Sequence, residues 1–337
     1  MPARIEDVAA HAGVSIKTVS RVLNGQPNVR ARLRARIEAS ISELNYVPNA
    51  SARGLAGNRS YLIALLYDNP TAGSGYIMEL IVGVLQACRD TPYTAVLFPL
   101  DAPDHIADSI DAFMARHRPD ALILVPPYAN NATLLQRLHA TGVRYATISS
   151  KSRETRVDVG FGERAAATAM VDHLIALGHR RIGHITGLAG HGARTWRLAG
   201  YRDALRKAGI AYDESLVTEG DFFFASGVAG ARTLLNLRSP PTAIFAANDD
   251  MAFGAMREAH ERHLSVPGDL SVCGFDDAPA AQVVTPGLST VHQPARELGR
   301  VAVEQVLRSL KDESLREHTT MPFRILVRES TAAPRRV

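Results

Sequence analysis

The spacing of apolar positions changes character once along the chain, near Tyr61. Before it, apolar residues recur every three or four positions in short runs. Ile5, Val8, Ala9 and Ala12 make one such stripe and predict a first helix, which Gly13 breaks. Ser15 stands at an N-cap position and opens a second helix, IKTVSRVLN. Its Val19, Val22 and Leu23 point inward, while Ile16, Lys17, Ser20 and Arg21 stay outside. Val14 plugs the core from the turn, and Asn24-Gly25 closes the helix with residues that tolerate a left-handed cap. A third helix is predicted from Ala31 to Leu44 on the stripe Ile37, Ile41 and Leu44. Pro48 ends it, and Asn49 can cap the small-residue run ASARGLA, which is too short to be helical without a partner.

From Tyr61 onward strands and helices alternate. SYLIALLYD, TAVLFPL, ALILVPP and RYATISS read as strands, separated by helices over Tyr76 to Arg89, SIDAFMARH and TLLQRLHATG. A second cycle begins near Gly162: ERAAATAMVDHLIALGHR, ARTWRLAGYRDALRKAG, ASGVAGARTLLNL and DMAFGAMREAHER are helices between the strands RIGHITG, SLVTEGD, AIFAAND and LSVCGFDD. LGRVAVEQVLRSL is a late helix and FRILVRES a final strand. Continuous apolar runs belong to parallel strands covered on both faces, and their alternation with helices predicts doubly wound α/β sheets. Two such lobes in series leave a cleft between them, and ligands bind outside the carboxyl ends of the strands.

Composition sharpens this. A chain of 337 residues exceeds one ordinary domain, and 46 % hydrophobic with 21 % charged residues suits a large core. Residues 1–60 hold nine basic and four acidic side chains, a balance of +5, so the other 277 residues carry −1 of the total +4. Positive charge is concentrated where the short helices are. Two such helices joined by a tight Gly-containing turn make a helix-turn-helix, which lays the start of its second helix in the DNA major groove. Lys17 and Arg21 can donate to guanine edges or phosphates, Ile16 can meet a thymine methyl, and Thr18 and Ser20 allow close approach. Arg32, Arg34 and Arg36 add positive charge at the start of the third helix.

The runs IEDVAAHAGVSIKTVSRVLNG and ELNYVPNASARGLA resemble the DNA-binding head of the lactose-repressor (LacI/GalR) family of bacterial transcription regulators. One departure is visible: Arg4 stands where that family usually has a threonine cap. The resemblance extends over the rest of the chain, which is similar to the family's sensor. It implies an N-terminal all-α helix-turn-helix head plus an α/β two-lobed, periplasmic-binding-protein-like sensor of doubly wound parallel sheets. The expected division is a DNA-binding domain at 1–47, a hinge helix and linker at 48–60, and an effector-binding and dimerisation domain at 61–337. Within the last, the N-lobe takes about 61–160 and 292–320 and the C-lobe about 162–290 and 322–333, with crossings near Phe161, Val291 and Met321. In the family the hinge becomes helical when two copies meet on DNA, and Leu55 matches the position that wedges into the minor groove. DNA contacts are therefore expected from Ile16, Lys17, Thr18, Ser20, Arg21, Asn24, Asn49, Ala52, Arg53 and Leu55.

Polar residues at strand ends are the candidates for a small effector. Asp68 and Asn69 end the first strand, Arg197 lies in ARTWRLAGY, Asn248 and Asp249 end AIFAAND, and Asp276 and Asp277 end LSVCGFDD. A carboxylate accepts pairs of sugar hydroxyls, and an arginine fork meets them from the other side. Trp196 and Phe222 can stack on an apolar sugar face, and Tyr76 and Gln293 complete the set. The resemblance implies effector contact for Arg197, Asn248 and Asp276, and places Phe222 where tryptophan is common. Pro126-Pro127-Tyr128 and Ser149-Ser150 replace polar residues of some relatives, so the sugar need not be a galactoside. Asp249 can equally cap the helix that follows it.

Other classes fare worse. Gly160-Phe161-Gly162-Glu163-Arg164-Ala165 formally fits a dinucleotide fingerprint but lacks the acidic residue closing a following strand. Asp249-Asp250 and Asp276-Asp277 invite a two-carboxylate hydrolase, yet no nucleophile elbow or metal triad accompanies them. His179 with His184, and His260 with His263, lack ligand company and read as solvated surface histidines rather than metal ligands. No cofactor, metal or catalytic residue is expected. Cys88 and Cys273 lie in apolar surroundings and read as reduced. MPARIEDVAA has no signal-peptide pattern and no run approaches a membrane span, which argues against a secreted sugar-binding protein and for a cytoplasmic one, nucleoid-associated when bound to its operator. The expectation is a homodimeric repressor of carbohydrate uptake or catabolism genes, released from a palindromic double-stranded DNA operator by a small sugar. The alternative is a co-repressed regulator binding a non-sugar metabolite such as a nucleobase.

Overall fold

The computed structural model describes residues 3–23, 28–46, 59–68, 75–100, 106–152 and 154–335; Asn24, Asn49, Ala52, Arg53, Leu55 and Asn69 lie outside them, as does the Asp68 side chain. The chain forms two units, Met1–Tyr61 and Leu62–Val337. In the first, α1 (Ile5–His11), α2 (Ile16–Leu23) and α3 (Ala31–Glu43) close on Val8, Ala9, Ala12, Val19, Val22 and Ile37. Gly13 makes the α1–α2 turn with φ +60°, a left-handed conformation that costs a side chain strain. Arg4 has no acceptor with which to cap α1; Asp7 instead reaches back to the Arg4 backbone N–H at 2.7 Å. Ser15 caps α2, its Oγ accepting from the Thr18 N–H at 3.2 Å.

The second unit holds two parallel sheets. One has the order β11-β5-β4-β3-β1-β2, from β1 (Leu62–Asp68), β2 (Thr94–Leu100), β3 (Ala121–Leu124), β4 (Arg144–Ile148), β5 (Val157–Phe161) and β11 (Glu317–Met321). Its helices are α4 (Gly75–Cys88), α5 (Ile106–His117), α6 (Ala132–Thr141) and α12 (Ala295–Ser309). The other sheet has the order β7-β6-β8-β9, from β6 (Ile182–Ile185), β7 (Val217–Thr218), β8 (Ala243–Ala246) and β9 (Ser271–Cys273). It carries α7 (Glu163–Ala176), α8 (Gly192–Lys207), α9 (Phe224–Leu235), α10 (Asp249–Glu261) and the short α11 (Ala280–Val283). The chain passes between the sheets after Phe161, after β10 (Thr290–His292) and after Met321, and β10 pairs antiparallel with β12 (Arg324–Leu326).

Each lobe has a helix pair whose backbones touch. A Cβ on Gly83 would lie 1.9 Å from the Arg296 carbonyl, and one on Gly299 2.4 Å from that of Leu80, so α4 and α12 interlock reciprocally. In the other lobe, Gly227 faces the Met251 carbonyl and Gly254 that of Phe224, each at 2.3 Å from a would-be Cβ. At that spacing nothing larger than hydrogen fits, so each of these helix pairs packs backbone to backbone.

Three sequence readings need correction. β5 and β11 are absent from the expected strands because TRVDVGF and EHTTM are too polar to read as buried runs; here they are neighbours at the sheet's edge. FRILVRES contributes only the crossover strand β12. His179 and His184 are buried, not solvated. His179 bonds Thr242, Ser271 and the Ala332 carbonyl, tying the C-terminal segment to the sheet. His184 stacks between Tyr201 and Phe245 and bonds the Phe245 carbonyl at 2.8 Å through Nδ1, while its Nε2 has no partner among the described residues. Burial pushes its pKa down to about 4.

Candidate functional site

On the head, the outward face of α2 carries Lys17 and Arg21, both exposed, with Ile16 46 % exposed at the first position of the helix. Ser20 and Thr18 are half-buried, and the Thr18 hydroxyl lies 2.8 Å from Ser15 Oγ in the cap. The exposed face is cationic, the charge a DNA-facing helix needs.

In the second unit, strand ends and helix starts from both lobes converge on one buried cluster. Arg197, from the second turn of α8, donates through Nε to Glu163 at 3.1 Å and through Nη1 to the Ala247 carbonyl. Its guanidinium stacks 3.8 Å over Phe275 and comes within 3.7 Å of Asp276. Glu163, the first residue of α7, is 5 % exposed; burial pushes its carboxyl up and the neighbouring Arg197 pulls it back. Asp276 is held in the same balance, and burial wins, leaving its carboxyl well above the ordinary range. Its backbone adopts φ +129°, a costly region for a non-glycine residue. The Val291 carbonyl accepts its N–H at 2.9 Å, and the Gln293 amide donates to its carboxylate. Tyr76, at the start of α4, comes from the other lobe, and burial beside the charges of Glu163 and Asp276 raises its hydroxyl pKa.

Asn248 is extended, caps α10 through the Met251 N–H at 3.0 Å, and donates to the Phe222 carbonyl at 2.8 Å. That bond holds Phe222 at φ +73°, its ring laid on Gly187, where a Cβ would meet it at 1.9 Å. His191 packs edge-on to Phe222 at 4.9 Å and caps α8 through the Ala193 N–H. Burial pushes it down to about 4, so its ring is neutral.

Of the expected effector residues, Tyr76, Arg197, Phe222, Asn248, Asp276 and Gln293 meet here. Asp249 lies behind them, fully buried, accepting from Thr290 Oγ1 at 2.5 Å and the Ala278 N–H at 2.7 Å; burial raises it to about 6. Both its oxygens are spent on holding the loop after β9 and strand β10, and Asn248 does the capping. Trp196 faces a chamber beside Glu163. Asp277 turns away from Asp276 to Arg328 and His292, at 2.7 and 2.9 Å. Glu163, Phe275 and His191 escape the sequence reading. Glu163 follows β5, the strand whose polar residues hid it, and Gly160 and Gly162 flank a passage between lobes rather than a phosphate turn. Among the described residues no group of three or more His, Cys, Asp or Glu is placed to hold a metal, and no helix is long and apolar enough to cross a membrane.

Residues 4–49 match the model of bacterial regulatory proteins of the lacI family, and residues 171–331 that of a periplasmic binding protein-like domain. The ribose operon repressor of Escherichia coli (strain K12) is 31 % identical over 338 residues, covering 98 % of this chain and all of that one. The chain belongs to the lacI family. The HTH-type transcriptional regulator CelR of Thermobifida fusca is 34 % identical, covering 96 % of this chain and 95 % of that relative. Among solved structures, the lac repressor dimer bound to operator and the anti-inducer ONPF superposes with a TM-score of 0.82 at 29 % identity, covering 99 % of this chain and 100 % of that one. A CelR–cellobiose complex gives 0.75 at 30 %, covering 97 % and 99 %. The lacI-family relatives are DNA-binding transcription regulators, and this chain is one of them, built of the same helix-turn-helix head and two-lobed sensor.

Proposed function

We propose that this lacI-family regulator is a repressor of carbohydrate uptake or catabolism genes, released from a palindromic operator by a small sugar bound between its lobes. The observation that carries the reading is the cluster of Arg197, Asp276, Asn248 and Gln293, with Phe222 held at Asn248 and Tyr76 beside Asp276. It offers a guanidinium and a carboxylate for vicinal hydroxyls, and aromatic faces for the apolar side of a ring. Relatives named for ribose and a neighbour solved with cellobiose support a saccharide. The division of labour assigns residues 1–47 to DNA binding, 48–60 to a hinge, and 61–337 to effector binding and dimerisation. Ile16, Lys17, Thr18, Ser20, Arg21 and Asn24 serve the major groove; Asn49, Ala52, Arg53 and Leu55 serve the minor groove.

The working form is a cytoplasmic homodimer. Met78 and Leu85, seven residues apart on one face of α4, are 56 % and 49 % exposed, as is Val283 at 80 % in the other lobe. Exposed apolar side chains of that size on both lobes suit a self-complementary interface. Sugar binding changes the angle between the lobes, and a coupling of about 1–3 kcal/mol gives roughly 5- to 150-fold release from DNA. The test is fluorescence anisotropy on a labelled pseudo-palindrome from upstream of the gene, with and without a saccharide panel. Release by one saccharide is the expected result. Tightening by a nucleobase would support the co-repressed reading, and indifference to every saccharide would sink the carbohydrate one.

A further inference from the structure

Beside the arginine cluster, the carboxyl ends of β4, β5 and β11 face the first turns of α7 and α8 across a chamber of about 740 Å³, within the range of small-molecule sites. Glu163 belongs to both places: its Oε2 pairs with Arg197, and its side chain also lines the chamber. Ser149 stands on the opposite wall, left-handed at φ +51° and 5 % exposed. Its hydroxyl leans toward Glu163 yet completes no hydrogen bond among the described residues. A buried hydroxyl without a partner is rare and asks for a ligand or a water.

The rest of the wall has the same chemistry. Asp158 Oδ1 takes both the Thr147 hydroxyl at 2.6 Å and the Ser150 N–H at 3.0 Å, which fixes the carboxylate and leaves Oδ2 without a donor among the described residues. Trp196, half-exposed, supplies an aromatic plane, its ring placed by Gly192, where a Cβ would come within 3.0 Å. Lys151 reaches from one lobe to Thr195 of the other at 3.0 Å and closes the rim. Two fixed carboxylates, an unmatched hydroxyl and an indole face are what a second sugar ring requires, and they adjoin the first ring's guanidinium.

We propose that this chamber is a second-ring subsite, so that the effector is a disaccharide or longer saccharide: one ring sits at Arg197 and Asp276, and the next bonds Ser149, Asp158 and Glu163 and stacks on Trp196. The inference rests on the carbohydrate reading above. Trp196 is the single tryptophan of the chain and lines this chamber, so its emission, read beside the affinities, follows what enters there. The full-length protein is titrated by calorimetry and by tryptophan fluorescence with glucose, galactose, ribose and xylose, and with cellobiose, maltose, lactose and xylobiose. One disaccharide should bind about tenfold or more tighter than either of its rings and shift the Trp196 emission. Asp158→Asn should lower the ratio of disaccharide to monosaccharide affinity by about tenfold. A monosaccharide that binds as tightly as any disaccharide, with the emission unmoved, overturns the subsite and leaves a one-ring sugar regulator standing. Binding of no saccharide overturns the subsite and the carbohydrate reading together.

Discussion

Arg197→Leu tests the charge balance at the centre of the cleft. Arg197 and Glu163 are 6 % and 5 % exposed as side chains, and Asp276 lies 3.7 Å from the same guanidinium. Leucine keeps an apolar stem over Phe275 but leaves two buried carboxyls without their cation. Losing one partner of a buried pair costs about 3–5 kcal/mol. At roughly 2–4 °C per kcal/mol for a unit of this size, the sensor's melting transition at pH 8 should fall by about 6–20 °C. The sign of the pH dependence follows from the same balance. Burial already raises both carboxyls and Arg197 opposes it; without Arg197 their folded pKa values climb further above the unfolded ones. Groups raised on folding contribute stability at low pH and lose it as pH rises toward the folded pKa. The deficit should therefore be small near about pH 4.5 and full near about pH 8, measured as the difference between variant and wild-type melting curves by circular dichroism. Melting alike at pH 8, or a deficit equal at both ends, would refute a buried pair that depends on Arg197.

Two further outcomes are expected. Ile37→Ala empties the centre of the three-helix head, where Ile37 is fully buried, at a cost of about 2–5 kcal/mol; operator binding should vanish in the anisotropy assay while the sensor's melting transition stays put. His184→Phe removes a base whose pKa folding depresses to about 4. Such a group's contribution is present above the unfolded value and lost as pH falls, so the variant's denaturation midpoint should change less than the wild type's between about pH 6.5 and pH 4.

The head is nearly all legible in the sequence because its periodicity, its turn glycine and its Ser15 cap are local signals. The central strands of both lobes are legible for a different reason: ALIL and AIFA are covered on both faces, and uninterrupted apolar runs have few other uses. What escapes is settled by neighbours distant in the chain. EHTTM becomes a strand only because TRVDVGF lies beside it, some 160 residues away, and each is too polar to announce itself. The same blindness hides Glu163. Asp249 and Asp276 look alike in sequence, each ending a strand, and only the partners brought by Thr290, Ala278 and Gln293 separate the structural carboxylate from the one at the cleft. His184 misleads because a histidine's polarity says nothing of the two aromatic rings waiting for it.

The interlocked glycines, Gly83 with Gly299 and Gly227 with Gly254, bear on how a ligand's energy is spent. A helix pair that touches backbone to backbone has no soft side-chain layer at its contact to absorb a push at the cleft, because close-packed interiors yield in discrete steps rather than gradually. On the proposed mechanism each lobe would act as a lever arm, with the three chain passages as its fulcrum. A rotation too small to notice beside Arg197 grows in proportion to distance along the arm, so the farthest end travels most.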